Sequence, residues 1–212
     1  MTARSRGPAR LYALDAATRQ LIRLAAVVTA GSEAEIRDSL TSVVGVVDDV
    51  WIEELLLQTH LFAGFPRSLN GMREWRRISG RRAANTEEAG SGSEDFRAAG
   101  EATCEKVYGA MYERLRHNIR ELDPLLDDWM VSDGYGKVLS RPGLDLGRRE
   151  LCIIAACAAA GQERQLHSHL RGALNVGVAP EVIDAAVAAL EGVVATDRLT
   201  ATRLLWLRVK GK

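Results

Sequence analysis

The chain has 212 residues, enough for one large domain or two small ones around a sizeable core. Lys plus Arg and Asp plus Glu number 28 each, so no net field draws the protein to nucleic acid or to an anionic membrane. Aromatic residues make up only 5% of the chain, and runs rich in Val, Ile and Thr are few, which points to an all-α protein.

The opening stretch, MTARSRGPARLYALD, carries charge but no apolar segment of the kind that directs secretion. No later run is long enough to cross a membrane, and a cytoplasmic location is expected. Residues 1–14 read as a flexible arm. A first helix is expected over Ala16–Ala30, with Asp15 as N-cap and Gly31 as the stop. Ser32 caps a second helix, and Glu35 stands three residues on, in the capping-box position. A third helix fits Asp48–Phe62. Gly64–Phe65–Pro66 breaks the pattern, and a fourth helix fits Ser68–Trp75.

Residues 79–95, SGRRAANTEEAGSGSED, are polar and rich in Gly and Ser, and read as a linker between residues 15–78 and residues 96–212. Helical periodicity returns from Phe96 to Arg120 and again from Leu122 to Val131. Asp133–Asp145 reads as an irregular loop. Asp145 then caps a long apolar helix that ends at Gly161, and further helices fit Glu163–Asn175, Pro180–Val194 and Thr196–Val209. Cys104, Cys152 and Cys157 are odd in number and form no CxxC. They read as small buried hydrophobes in a reducing compartment.

Sliding the sequence by 130 residues aligns Arg19, Leu21, Ala25, Ala26, Ala30, Gly31, Glu33, Leu40 and Val46 with identical residues of the later half. Both copies read as an apolar helix, a glycine stop, an amphipathic helix, a turn and another helix. The first copy is the degenerate one. It has Gln20 and Ser39 where the second has Glu150 and His169.

The polar groups of the second copy are the candidate chemistry. Gln165 and His169 are four apart and share a helix face, with Gln162 near that line just before the first turn. His167 points roughly away from His169, so the two cannot chelate one ion, and no metal site is expected. Glu150 opens the preceding helix. An antiparallel hairpin turning at Gly161 is expected to carry it away from His169 by most of a helix length. The two then meet only if the helices cross steeply, or across a subunit boundary.

Two stretches carry a resemblance. GYGKVLSRPGLDLGRRELCIIAACAAAG (Gly134–Gly161) and LNVGVAPEVIDAAV (Leu174–Val187) are similar to the signature of the carboxymuconolactone decarboxylase family, which also contains alkylhydroperoxidase D. LLLQTHLFAGFPRSLNGM (Leu55–Met72) resembles the closing helix and corner of the same family. The peroxidase members carry C-x-x-C-x-x-x-H. In this chain the two cysteine positions are Gln162 and Gln165, and Arg164 replaces a second histidine between them. The family histidine falls on His169 and the acid of the preceding helix on Glu150. Glutamine forms neither thiolate nor disulfide, so dithiol peroxidase activity is not expected.

The resemblance implies an all-α bundle of two tandem units that assembles as a homo-oligomer, a trimer for a duplicated chain. It implies a small-molecule substrate and no cofactor, with no nucleic acid or membrane partner. In a decarboxylase-like reading His169 is the proton donor and Glu150 orients it or acts as the base. Arg141 or Arg149 is expected to hold the carboxylate, and Tyr135 and Trp129 to wall off water. Two other readings stand beside this cofactor-free lyase, isomerase or hydrolase acting on a small carboxylate or lactone. One is a family member that has lost catalysis and serves as a binding or scaffolding protein. The other is a residual redox role for Cys104, Cys152 or Cys157. His60, in QTHLFAGFP, is expected to pack beside the glycine corner.

Overall fold

The computed structural model describes residues 11–83 and 95–211. Most of the expected arm, and residues 84–94 of the expected linker, lie outside the described residues. The chain runs through α1 (Ala16–Ala30), α2 (Glu33–Val43), α3 (Asp49–Ser79), α4 (Asp95–Tyr108), α5 (Tyr112–Arg120), α6 (Pro124–Trp129), α7 (Leu146–Ala160), α8 (Glu163–Asn175), α9 (Pro180–Ala189) and α10 (Thr196–Lys210). A 3-10 turn spans Gly109–Met111 and a π-helical segment spans Met130–Leu139. The protein is all-α. Among the described residues the one departure is an isolated bridge between Leu11 and Val178, where Ala179 N–H also donates to the Leu11 carbonyl at 3.1 Å.

Local chemistry sets the helix starts. Asp15 accepts from Thr18 N–H at 2.7 Å, and Asp145, 130 residues on, accepts from Arg148 N–H at 3.0 Å. Ser32 and Glu35 close a reciprocal capping box at α2. α1 and α7 begin and end 130 residues apart, each stopping at a glycine, and they pack against each other. α7 is the central helix. It also touches α3, α8, α9 and α10, and every residue from Arg149 to Ala159 is buried. Its Ala and Cys side chains present little bulk on any face, as a helix enclosed on all sides requires.

Three expectations need correction. First, the break expected at Gly64–Phe65–Pro66 is there, as a kink inside α3, and it is the end of the second segment that moves, from Trp75 to Ser79. Gly64 takes φ 81 and ψ 163, a conformation costly for any other residue, and the helix kinks there and resumes through Pro66 to Ser79. Second, the helix expected over Phe96–Arg120 divides at Gly109, whose φ of 52 is left-handed. Third, the stretch expected as an irregular loop from Asp133 is largely the π-helical segment. Its Gly136 lies against the Phe96 carbonyl, and Gly100 of α4 lies against the Val131 carbonyl; a Cβ at either glycine would collide with backbone. These glycines serve close helix packing rather than a loop.

Candidate functional site

Glu150 and His169 meet. The His169 Nδ1–H donates to Glu150 Oε2 at 2.9 Å, with the Glu150 side chain wholly enclosed and the imidazole 6% exposed. The separation expected from the hairpin is therefore wrong, and for a simple reason. Glu150 lies eleven residues before Gly161 and His169 eight after it. In an antiparallel pair they stand almost level, offset by only about 4–5 Å at the helical rise.

Three further features shape the pair. Gly172, one turn beyond His169 on α8, leaves room for the carboxylate; a Cβ there would come within 2.6 Å of Glu150 Oε2. The ring of Phe62, on α3, meets the His169 imidazole edge-on at 5.5 Å between centroids. Glu150 Oε1 is buried with no hydrogen-bond partner among the described residues. Native interiors seldom carry such an orphaned oxygen, and reactive sites are among the places where they do.

Tyr108 and Tyr135 form an edge-on pair at 6.1 Å beside this carboxylate. Burial pushes both phenols well above their ordinary range, with the Glu150 charge adding to the effect. Burial likewise pushes the Cys104 and Cys157 thiols up to about 12 and Cys152 higher still. All three cysteines are free, and thiolate is scarcely formed near neutrality.

The other candidate residues lie elsewhere. Arg149 is fully buried and faces α3, not the pair. It donates to Glu54 Oε2 at 2.7 Å, Gln58 Oε1 at 3.1 Å, and the carbonyls of Leu144 and Arg141 at 3.0 Å each. Burial lowers its pKa and the Glu54 carboxylate acts the other way. Arg141 binds the same glutamate, its Nε donating to both Glu54 oxygens at 2.9 and 3.0 Å. Both arginines therefore clamp Glu54 and tie the Ser140–Asp145 loop and α7 to α3. Both residues expected to hold a substrate carboxylate thus meet a carboxylate of the protein itself. Gln162 donates from Nε2 to the Phe62 carbonyl at 3.1 Å, and Gln165 is exposed. Of the two residues expected to wall off water, Tyr135 is buried and Trp129, at the end of α6, is 54% exposed.

His60 stacks on Phe65 at 4.8 Å and donates from Nδ1 to the Leu57 carbonyl at 2.7 Å, so it packs at the kink. Gln20 and Ser39, which the 130-residue offset sets opposite Glu150 and His169, border an open cleft of about 520 Å³. Among the described residues no cluster of three His, Cys, Asp or Glu is placed to hold a metal ion, and no helix is long and apolar enough to cross a membrane.

Phe62, Gly172, Glu54 and Gln58 were not singled out from the sequence. Gly172, inside an otherwise regular helical pattern, is the one whose signal was present.

An acid from one helix bonded to a histidine on the next is found here within a segment that matches known proteins. Residues 128–207 match the Carboxymuconolactone decarboxylase family. Over 134 residues the chain is 32% identical to Peroxisomal protein 2 of Schizosaccharomyces pombe, covering 62% of this chain and 63% of that protein. Over 65 residues it is 35% identical to the 4-carboxymuconolactone decarboxylase of Acinetobacter baylyi, covering 31% of this chain and 48% of that protein. The matches thus span under two thirds of either relative's length. Residues 128–207 are thus similar to the carboxymuconolactone decarboxylase family.

Proposed function

We propose that the protein is a cofactor-free acid–base enzyme acting on a small carboxylate or lactone, with Glu150 and His169 as its working pair. The observation that carries this reading is the buried 2.9 Å bond between them. A carboxylate accepting from Nδ1–H fixes the imidazole tautomer and leaves Nε2 to exchange a proton with substrate. In a decarboxylation the bond between carbon and its carboxylate breaks and the electron pair passes into a conjugated carbonyl. Protonated His169 delivers its Nε2 proton to carbon, CO₂ leaves, and the neutral imidazole recovers a proton from solvent. Glu150 stabilises the imidazolium between those steps. Phe62 and Tyr135 keep water from the reacting carbon. Self-association, as a trimer by family analogy, belongs to the same proposal. The exposed Leu122, Leu125, Leu126 and Trp129 around α6 supply apolar area for it.

The test is CO₂ release from a panel of carboxylated lactones that includes 4-carboxymuconolactone. Turnover by the native chain that His169→Ala lowers by about 100-fold or more supports the proposal. A panel with no turnover sinks it. One observation favours a second reading, a family member kept for binding rather than catalysis: Arg141 and Arg149 are both committed to Glu54, so neither brings a cation to the pair. Saturable binding of a panel compound without turnover is the outcome that reading expects.

A further inference from the structure

A large concavity reaches Val107 and Tyr108 but is lined by neither Glu150 nor His169. It is a groove of about 840 Å³ between the α4–α5 junction, α8 and the end of α10. Its size falls in the range of small-molecule sites. Its wall contains Arg114, Arg171 and His167, and no acidic residue. The rest is mainly apolar, with Met111, Leu115, Leu174 and Val209.

Arg171 is the telling residue. It is half-buried, and its Nε is buried without a hydrogen-bond partner among the described residues. An enclosed guanidinium donor left unmatched is costly, and an anion in the groove would match it. Two nearby polar groups are already engaged. Asn175 donates to the Val107 carbonyl at 2.8 Å, and the Ser168 hydroxyl donates to the Arg164 carbonyl at 3.2 Å. Neither is an acceptor aimed at Arg171. Arg114, exposed on α5, brings a second positive charge to the same groove.

We infer that this groove binds an amphipathic monocarboxylate, its head on Arg171 and Arg114 and its apolar body along Met111, Leu115, Leu174 and Val209. The size of the groove admits a chain or ring of several carbons. Two cations with no carboxylate paired to them among the described residues select an anion over a neutral molecule of the same shape. The inference does not depend on the Glu150–His169 chemistry, because it concerns binding by other residues.

Titration calorimetry on the full chain tests it, with octanoate, 1-octanol, acetate and inorganic phosphate as probes. Octanoate is expected to bind saturably, and each of the other three at least tenfold more weakly. Arg171→Met is expected to weaken octanoate about tenfold or more through loss of a charge-assisted hydrogen bond. Arg114→Met, at an exposed position where folding is not at stake, is expected to weaken it several-fold. The inference is overturned by absence of octanoate binding, by octanol or phosphate binding as tightly, or by affinity unchanged in both variants.

Discussion

The Glu150 carboxylate occupies the space that a side chain on Gly172 would fill. A Cβ there would come within 2.6 Å of Glu150 Oε2 and 2.7 Å of Val107 Cγ1. Glycine at this point of α8 is therefore the condition on which an acid from α7 reaches His169. Gly172→Ala would ordinarily favour a helix by up to about 1 kcal/mol. Here overpacking is expected to win, with a net destabilisation of about 1–3 kcal/mol in urea unfolding. The His169 ring signals in a nitrogen-correlated NMR spectrum should shift as the carboxylate is displaced. Equal or greater stability with unmoved signals would show that the site relaxes freely, against this account.

Glu54 ties α3 to α7 and the loop before it through buried charge. Arg149 has no exposed surface, so Glu54→Ala leaves a guanidinium enclosed without its carboxylate. The expected cost is about 3–5 kcal/mol by chemical denaturation. Arg141→Met should cost less, since that side chain is 26% exposed and Arg149 still holds the glutamate. The reverse order of the two costs would contradict the arrangement.

The thiols should be silent in the folded protein. Burial pushes Cys104 and Cys157 up to about 12, and all three cysteines are enclosed. At pH 8 a thiol reagent such as dithionitrobenzoate is expected to label none of them within minutes, and all three after unfolding in guanidinium. Fast labelling of the native chain would revive a redox role and contradict the burial described.

Acid should weaken one particular contact. Hydrogen bonding to the Arg116 guanidinium holds the Asp127 carboxyl below the usual carboxylate range, and Arg120 adds to the effect. Because the folded value is the lower one, the stabilisation is fully present above the unfolded carboxylate value, near 4. It disappears as pH falls through the folded value. The stability gap between the native chain and Arg116→Met is thus expected to be widest at neutral pH and to narrow below about pH 4. A gap independent of pH would mean that Arg116 acts through packing alone.

Much of the architecture was legible because it is written in local chemistry. Asp15, the Ser32–Glu35 box and Asp145 announce helix starts by side-chain hydrogen bonds to nearby amides, and Gly161 announces a stop. What escaped depends on contacts distant in sequence. Gly100 and Gly136 look like loop residues until α4 and the π-helical segment are laid together. Arg141 and Arg149 read as substrate clamps, and nothing local shows Glu54, some 90 residues earlier, between them. Trp129 reads as a wall, and nothing local shows that α6 leaves it 54% exposed. Glu150 and His169 were legible as residues and not as neighbours, although counting outward from Gly161 along both helices places them nearly level.

The measurement that tests the central claim most directly is a double-mutant cycle on CO₂ release from whichever lactone acid the native chain turns over, comparing Glu150→Gln, His169→Gln and the double variant. Groups that act as one unit are grossly non-additive. Each single change is therefore predicted to lower kcat by about 100-fold or more, and the double variant to be little worse than the poorer single. Two independent losses that multiply, or a single variant with native kcat, would contradict the claim that this carboxylate and this imidazole work as a pair.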